Sequence, residues 1–199
     1  FINIIIILIH KNIFKKYLEA LDPDKSIFLS SDIKDLKKYE TIIDDEMHGA
    51  KIQFFHAVDA VYTKRVNELN SQYPSLLSTP FQFSSDETIV LDPEKLDYHK
   101  TDQARKEAWR KRIKFLTLEK YSDLLDARDK LNKSDSAYKN DVELEKEARE
   151  KVKKLVTRNF ERMVSKTKPD ERFDMFINVI TKYMDPHTTF FPPIEKRSF

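Results

Sequence analysis

A single glycine, Gly49, occurs among the 199 residues of this chain, and this scarcity limits the possible folds more than any other feature. Glycine-rich phosphate loops and dinucleotide-binding turns need several glycines, because the ligand approaches the backbone where side chains would block it. Two-residue hairpin turns, which connect the strands of all-β folds, also favour glycine. The sequence therefore excludes nucleotide binding through those two motifs and predicts a mostly α fold, which its many Lys, Glu and Leu residues favour as well.

Charged residues are abundant but balanced, with 36 Lys and Arg against 34 Asp and Glu and a formal net charge of +2. Because this balance gives no strong field toward a polyanion, nucleic acid is not a predicted partner. The absence of cysteine excludes disulfides, thiolate zinc sites and cysteine nucleophiles. It does not identify the compartment, since cytosolic and bacterial periplasmic proteins can both lack cysteine.

Apolar residues recur at helical spacing through most of the chain. The expected fold is an irregular bundle of about five to six helices with one long irregular connection, at about residues 74–100. Three prolines and a Ser/Thr cluster interrupt that connection, and its length indicates that it packs on the surface or contacts another part of the molecule. The helices are predicted over residues 11–21, 30–47, 50–73, 101–131, 142–164 and 169–184.

Capping residues mark several of these helix ends. Ser30 or Ser31 is expected to cap the second helix, Thr101 or Asp102 is expected to cap the helix after the long connection, and Pro169 suits a first helical turn. Aspartate next to proline stops or breaks segments at three places, which are Asp22, Asp92 and Asp185.

The first ten residues are almost entirely apolar. They are much shorter than the ~20 residues that a membrane-spanning helix needs. Their length fits the apolar region of a signal peptide, but a basic start and a small-residue cleavage site are both missing, so a buried element is the favoured interpretation. We treat residues 1–10 as an apolar start whose continuity with Lys11 is left open.

Ser31 and Lys34 match the Ser-x-x-Lys pattern, in which a helix brings a lysine beside a serine nucleophile. The pattern occurs without a Lys-Thr-Gly motif and without glycines to form an oxyanion site. A serine that opens a helix is far more often a cap, and the sequence therefore favours that structural role over hydrolase activity.

Five carboxylate and imidazole residues raise the question of a metal site, and they are Asp44, Asp45, Glu46, His48 and His56. The two histidines are eight positions apart, too far for the i, i+4 chelation of a helical zinc pair. A solvated helix face is the expected role. Neither metal ligands nor a cofactor are assigned.

His187 follows a predicted helix end, where a cation is favoured by the helix dipole. Thr188 and Thr189 are close in sequence but have no visible oxyanion partner, as a nucleophile would need. A structural role is the expected one.

Two groups of basic residues also have structural interpretations. The first is Lys151, Lys153, Lys154, Arg158 and Arg162. Glu-to-Lys pairs at i, i+4 explain it as a solvated helix face. The second is Trp109 with Arg105, Arg110 and Arg112, and it indicates a tryptophan anchored in the core with arginines that extend to the surface.

Two segments resemble one known family. Residues 13–33 read Ile-Phe-Lys-Lys-Tyr-Leu-Glu-Ala-Leu-Asp-Pro-Asp-Lys-Ser-Ile-Phe-Leu-Ser-Ser-Asp-Ile, and residues 183–193 read Tyr-Met-Asp-Pro-His-Thr-Thr-Phe-Phe-Pro-Pro. The first resembles the opening of the N-terminal domains of tail-specific (carboxyl-terminal processing) serine proteases, and the second resembles the segment just before their PDZ domain. The helices between them match in order and length, so the resemblance covers nearly all of residues 11–199.

The sequence departs from the family pattern in two ways. A loop of about a dozen or more residues normally precedes the segment that begins at Ile13, whereas here His10 runs directly into Lys11. The sequence also ends at Phe199, before the PDZ domain and the peptidase core with its Ser-Lys dyad. No catalytic, cofactor-binding or metal-binding residue is therefore carried over from the family.

The resemblance implies a non-catalytic helical domain at residues 11–185 and a linker toward the PDZ domain at residues 186–199. The parent protein would be a periplasmic endopeptidase that engages exposed C-terminal tails. This domain would help to form the substrate-receiving bowl and would dock partners, with an adaptor protein among them. The alternative is a free-standing helical interaction module that binds a protein through exposed Phe81, Phe83, Phe190 and Phe191.

Overall fold

The structure, a computed structural model, describes residues 2–133, 135–166 and 168–191, and it describes their side chains except those of residues 2–8, Asp44 and residues 165–166. Seven α-helices account for most of this part of the chain, which confirms the mostly α prediction. They are α1 (Ile2–Leu21), α2 (Ser30–Leu36), α3 (Ile43–Met47), α4 (Phe54–Leu76), α5 (Asp102–Arg128), α6 (Asp141–Glu161) and α7 (Pro169–Met184).

β-structure is limited, within the described ranges, to an isolated parallel bridge between Leu29 and His99. The apolar start and the segment from Lys11 to Leu21 form the single helix α1. The domain limits inferred from the sequence stay predictions, and residues 192–199 of the predicted linker lie outside the described residues. No helix in the described part of the chain is long and apolar enough to cross a membrane.

The helix predicted over residues 30–47 consists of three pieces, because the 3₁₀-helix Lys37–Ile42 separates α2 from α3. Hydrophobic spacing does not distinguish the two helix types, since both place residues i and i+3 on nearly the same side. A π-helical turn, Arg162–Lys166, likewise extends the end of α6.

The predicted helix starts are confirmed at two of three places. The Thr101 hydroxyl accepts the N–H of Ala104 at 3.1 Å, and α7 begins at Pro169. The predicted serine cap of α2 is wrong, because the residue before the helix is Leu29 and the carboxylate of Asp32 accepts its N–H at 2.8 Å. A carboxylate in the first turn thus takes the place of the predicted hydroxyl. The helix dipole also favours a negative charge at this position.

An aromatic cluster joins α1, α4 and α7. The rings of Tyr17 and Phe176 lie 5.0 Å apart between centroids, and Phe54 lies 5.6 Å from Phe176 and 5.4 Å from Phe14. All four side chains are buried. This cluster explains why helices far apart in sequence pack together, since aromatic pairs at this distance add to the stabilisation from burial.

The remaining long helices, α5 and α6, pack along each other and against α4. Phe160 joins the two sides, with its ring centroid 4.9 Å from Tyr73 and 5.4 Å from Trp109. Met184 lies at the end of α7 and is 65% exposed.

The long connection between α4 and α5 is irregular, as predicted, apart from one 3₁₀ turn at Pro93–Lys95. Its first part lies on the surface of the α5–α6 pair. There the Phe83 ring stacks on Tyr121 at 5.5 Å, and the N–H of Phe81 donates to Glu145 at 3.0 Å.

Candidate docking groove

The turn after α1 is built around Asp22, whose side chain is almost fully buried. Its carboxylate accepts the backbone N–H groups of Ser26, Ile27 and Phe28 at 2.8, 2.9 and 3.0 Å. Burial raises the pKa of the Asp22 carboxyl, and the three N–H groups oppose that rise. Lys25 has a φ of 48°, which shows how tightly the chain folds around the carboxylate.

One face of α5 binds this turn through the side chains of Arg105, Trp109 and Arg112. These three residues are spaced at i, i+4 and i+7, so they lie on the same side of the helix. Arg105 donates to the Ile27 carbonyl at 2.5 Å, the Trp109 indole donates to the Ser26 carbonyl at 2.9 Å, and Arg112 pairs with Asp24 at 2.7 Å. The segment that carries the family resemblance is thus held by a helix about 80 residues further along the chain.

Arg105 is fully buried, so the prediction that it extends to the surface beside Trp109 is wrong for this residue. The guanidinium instead pairs with Asp102 and, at 3.1 Å, with Glu68 on α4. Arg65 binds the same Glu68 at 2.8 Å. Five donors in a planar group allow Arg105 to bind two carboxylates and a carbonyl together, which compensates part of the cost of burying its charge.

A groove of about 430 Å³ lies between this turn, α5 and the end of α6. Its floor is aromatic and aliphatic, and its rim is polar, with Asn159 and the Arg112–Asp24 pair. A second cleft, of about 420 Å³, lies beside it and shares Tyr62 and Met163 with it. The apolar surface of the groove includes Tyr62, Trp109, Leu116, Leu155, Phe160 and Met163.

The chemistry of this groove is that of binding. Apolar walls with a few polar groups at the rim suit apolar side chains of a polypeptide, as in ligand pockets and interface cores generally. Leu155 is 40% exposed, so part of the apolar surface is open to a partner. The i, i+4, i+7 spacing of Arg105, Trp109 and Arg112 was visible in the sequence, but what this face contacts was not.

The candidate Ser31–Lys34 pair lies exposed on α2. The assignment of no catalytic residue stays a prediction. Nothing in the described part of the chain adds a feature that would activate a serine there.

Within the described side chains, no three His, Asp or Glu residues converge as a metal site would require. His48 and His56 are exposed, and the side chain of Asp44 lies outside the described residues. The solvated role expected for Glu46 is wrong. This side chain is buried and accepts the N–H groups of Gln53 and Phe54 at 2.8 and 2.9 Å, so it caps the start of α4.

At the other end of the chain, the Asp185 carboxylate accepts the N–H of His187 at 2.9 Å and the hydroxyl of Thr188 at 2.9 Å. These bonds lower the pKa of Asp185 and close the turn that ends α7. In the basic run on α6, Lys151 pairs with Glu147 at i, i+4, as predicted for a solvated face.

The four phenylalanines proposed as an interaction patch do not form one exposed surface. Phe81, Phe83 and Phe190 are half-buried, and Phe191 is 50% exposed. Phe190 is held to α7, where its N–H donates to the Asn178 side chain at 2.8 Å.

Residues 8–194 match the family described as the tail-specific protease N-terminal domain. The chain belongs to this family. A tail-specific protease from Haemophilus influenzae is 24% identical over 193 residues, which are 95% of this chain and 25% of that relative. The chain thus spans about a quarter of the length of the relative that it matches.

Proposed function

We propose that this chain is a non-catalytic, substrate-handling domain of a periplasmic serine endopeptidase, and that its groove receives polypeptide on the way to the peptidase core. The observation that carries the proposal is the apolar groove beside the turn at Asp22. In this chain the groove lies beside residues 13–33, which resemble the opening of the family's N-terminal domains, and it holds apolar surface in reach of solvent at Leu155.

The geometry supports handling of unfolded or tail-like polypeptide. An apolar floor binds side chains of many sequences, because burial of apolar area is not directional. The polar rim can bind backbone groups of the substrate without selecting for a particular substrate sequence. In the proposed protein, a PDZ domain and a Ser-Lys dyad elsewhere in the polypeptide would supply tail recognition and cleavage, with the lysine acting as general base.

The first test is the gene itself. The proposal expects a reading frame that continues past Phe199 into a PDZ domain and then a peptidase region containing the serine and the lysine. A reading frame that ends near Phe199 would overturn the protease assignment and favour a free-standing interaction module.

The second test changes the groove in the full-length protease. Leu155→Glu places a charge on the exposed apolar surface and is expected to raise KM for an unfolded model protein by about tenfold, with kcat for a short peptide unchanged. Val142→Glu is the matched control, because Val142 lies on the same helix, is 75% exposed and does not line the groove. Equal KM values for the two variants would exclude a role of the groove in substrate handling.

The periplasmic location is tested separately. A tagged full-length protein should be released by osmotic shock together with a periplasmic marker enzyme. Retention with a cytosolic marker would contradict the proposed compartment and would leave the groove test unaffected.

A further inference from the structure

The segment Thr88–Leu91, in the connection between α4 and α5, has the composition of a β-strand within an otherwise helical domain. Its sequence is Thr-Ile-Val-Leu, and three of its four residues are β-branched. β-branched residues favour strands, because their side chains pack well on a pleated surface. A strand needs a neighbour, and the described residues of this domain provide none.

The backbone of this segment is unpaired. In the described part of the chain, no hydrogen bond involves the N–H or C=O of Thr88, Ile89, Val90 or Leu91. All four φ angles are negative, as strand pairing requires. Val90 and Leu91 are 51% and 63% exposed. Exposed, unpaired backbone next to apolar side chains is a template for a second extended chain, and neither lysine nor proline interrupts these four residues.

The segment is anchored to α5 at its start and is followed by a turn at its end. Before it, the Glu87 carboxylate binds Arg110 at 2.7 Å and Lys114 at 3.0 Å, both on α5. After it, Asp92 accepts the N–H of Glu94 at 3.1 Å and begins the 3₁₀ turn. The anchor and the turn reduce the entropy that is lost when the segment pairs with a partner, and such preorganisation favours binding.

A small pocket lies directly beside the segment. It has a volume of about 90 Å³ and combines an apolar part with a polar one. The apolar part is lined by Ile89 of the segment, by Phe83, and by Phe115 and Leu118 of α5, and the polar part is lined by Ser85, Glu87, Thr88, Lys111 and Lys114. This is several times the volume that one water molecule needs, so it accommodates an aliphatic side chain. Leu118 is 42% exposed, which leaves the pocket accessible.

We propose that Thr88–Leu91 is a strand-addition site for an extended polypeptide, which pairs its backbone with the segment and places one aliphatic side chain in the adjacent pocket. Main-chain hydrogen bonds supply the affinity in such sites and pockets for alternate side chains supply the selectivity. The pocket favours a peptide over a second copy of the same segment, because Ile89 of a second copy already lines the pocket of its own chain and is not free to fill another. The site lies on the other side of α5 from the groove, so its test is independent of the proposed function.

The test measures binding of a fluorescein-labelled peptide, Thr-Val-Thr-Val-Thr-Val, to the 199-residue chain by fluorescence anisotropy. Alternate residues of a strand direct their N–H groups to opposite edges. Val90→Pro and Leu91→Pro should therefore differ, with one of them lowering the affinity by about tenfold and the other changing it little. Val90→Ala and Leu91→Ala keep the backbone donors and should remain within about threefold of the parent chain.

A second peptide, N-methylated at alternate residues along one edge, separates backbone pairing from apolar contact. Of the two N-methylated forms, one should lose binding and the other should keep it. Equal binding of both forms, equal affinity of both proline variants, or no binding of the unmodified peptide would each overturn the proposal. A dimer of the parent chain that excludes the peptide would assign the edge to a second copy and would likewise overturn it. Circular dichroism of each variant shows that the helices are retained.

Discussion

Arg65 on α4 holds Asp32 on α2 through two parallel hydrogen bonds of 2.8 Å each, with both side chains less than 15% exposed. Such bidentate pairs combine geometric specificity with charge. The same Asp32 carboxylate also accepts the N–H of Leu29, so one side chain starts a helix and joins it to another. The pair belongs to the cluster of Asp32, Arg65, Glu68, Asp102 and Arg105 behind the turn that lines the groove.

Asp32→Ala should lower the free energy of unfolding by about 3 kcal/mol, because it leaves the buried Arg65 charge with fewer partners and the Leu29 N–H without its acceptor. Chemical denaturation monitored by circular dichroism measures the change. Glu19→Gln is the control, since the Lys15–Glu19 pair is exposed and should contribute less than about 0.5 kcal/mol. Similar losses in both variants would contradict the central role of the Asp32–Arg65 pair.

Stability should decline as the pH falls below about 4.5, and the ion-pair cluster explains the direction. Burial alone would raise the pKa values of Asp32, Glu68 and Asp102, but hydrogen bonds from Arg65 and Arg105 hold them below their ordinary values of 3.8 and 4.5. A carboxyl with a lowered pKa in the folded state stabilises above its unfolded-state pKa, and this stabilisation is lost as the pH falls through the folded-state pKa.

Urea unfolding between pH 6 and pH 3 checks this prediction. The raised pKa of Asp22 acts in the opposite direction, because its stabilising contribution is present at low pH and is lost as the pH rises. Because asparagine does not titrate, the loss of stability on acidification should be smaller in Asp32→Asn than in the parent chain. A parent chain whose stability rises on acidification would show that Asp22 outweighs the cluster.

Asp22→Ala should destabilise the turn before α2 by about 3 kcal/mol, since three backbone N–H groups lose their acceptor at about 1 kcal/mol each. The natural comparison is Asp24→Ala in the same turn. Its ion pair with Arg112 is partly exposed and should contribute less than about 1 kcal/mol. Thermal unfolding of the two variants distinguishes a turn fixed by the Asp22 carboxylate from one fixed by surface charge.

Phe54→Ala should cost about 3–5 kcal/mol, because the ring is fully buried among α1, α4 and α7 and its removal leaves a cavity. Val142→Ala, at a position 75% exposed on α6, should change stability by less than about 0.5 kcal/mol. Denaturation midpoints measure both. A small loss for Phe54→Ala would mean that the three helices do not depend on this cluster.

Much of the local structure could be predicted from residues near in sequence. The helical spacing, the Thr101 cap, the first-turn Pro169 and the irregular connection at about 74–100 all follow from preferences that act within a few residues. The predictions for the cap of α2 and for Glu46 were both wrong because a carboxylate satisfies the N–H at the helix start. Asp32 does so locally, from the first turn of α2 itself. Glu46 accepts N–H groups seven and eight residues further on, and its position depends on how the chain folds back.

The sequence by itself determined the class of this protein, because one glycine, no cysteine and helical spacing leave few folds other than an α-helical one, and because the residues around Asp22 carry the family resemblance. Only the tertiary structure decided that Arg105 is buried, that Trp109 and Arg112 bind the Asp22 turn, and that a groove opens beside it. The physical reason is the sequence separation over which each kind of contact acts. Helix formation depends on neighbours three or four positions away, whereas burial and ion pairing depend on contacts between residues that the sequence places about 80 positions apart.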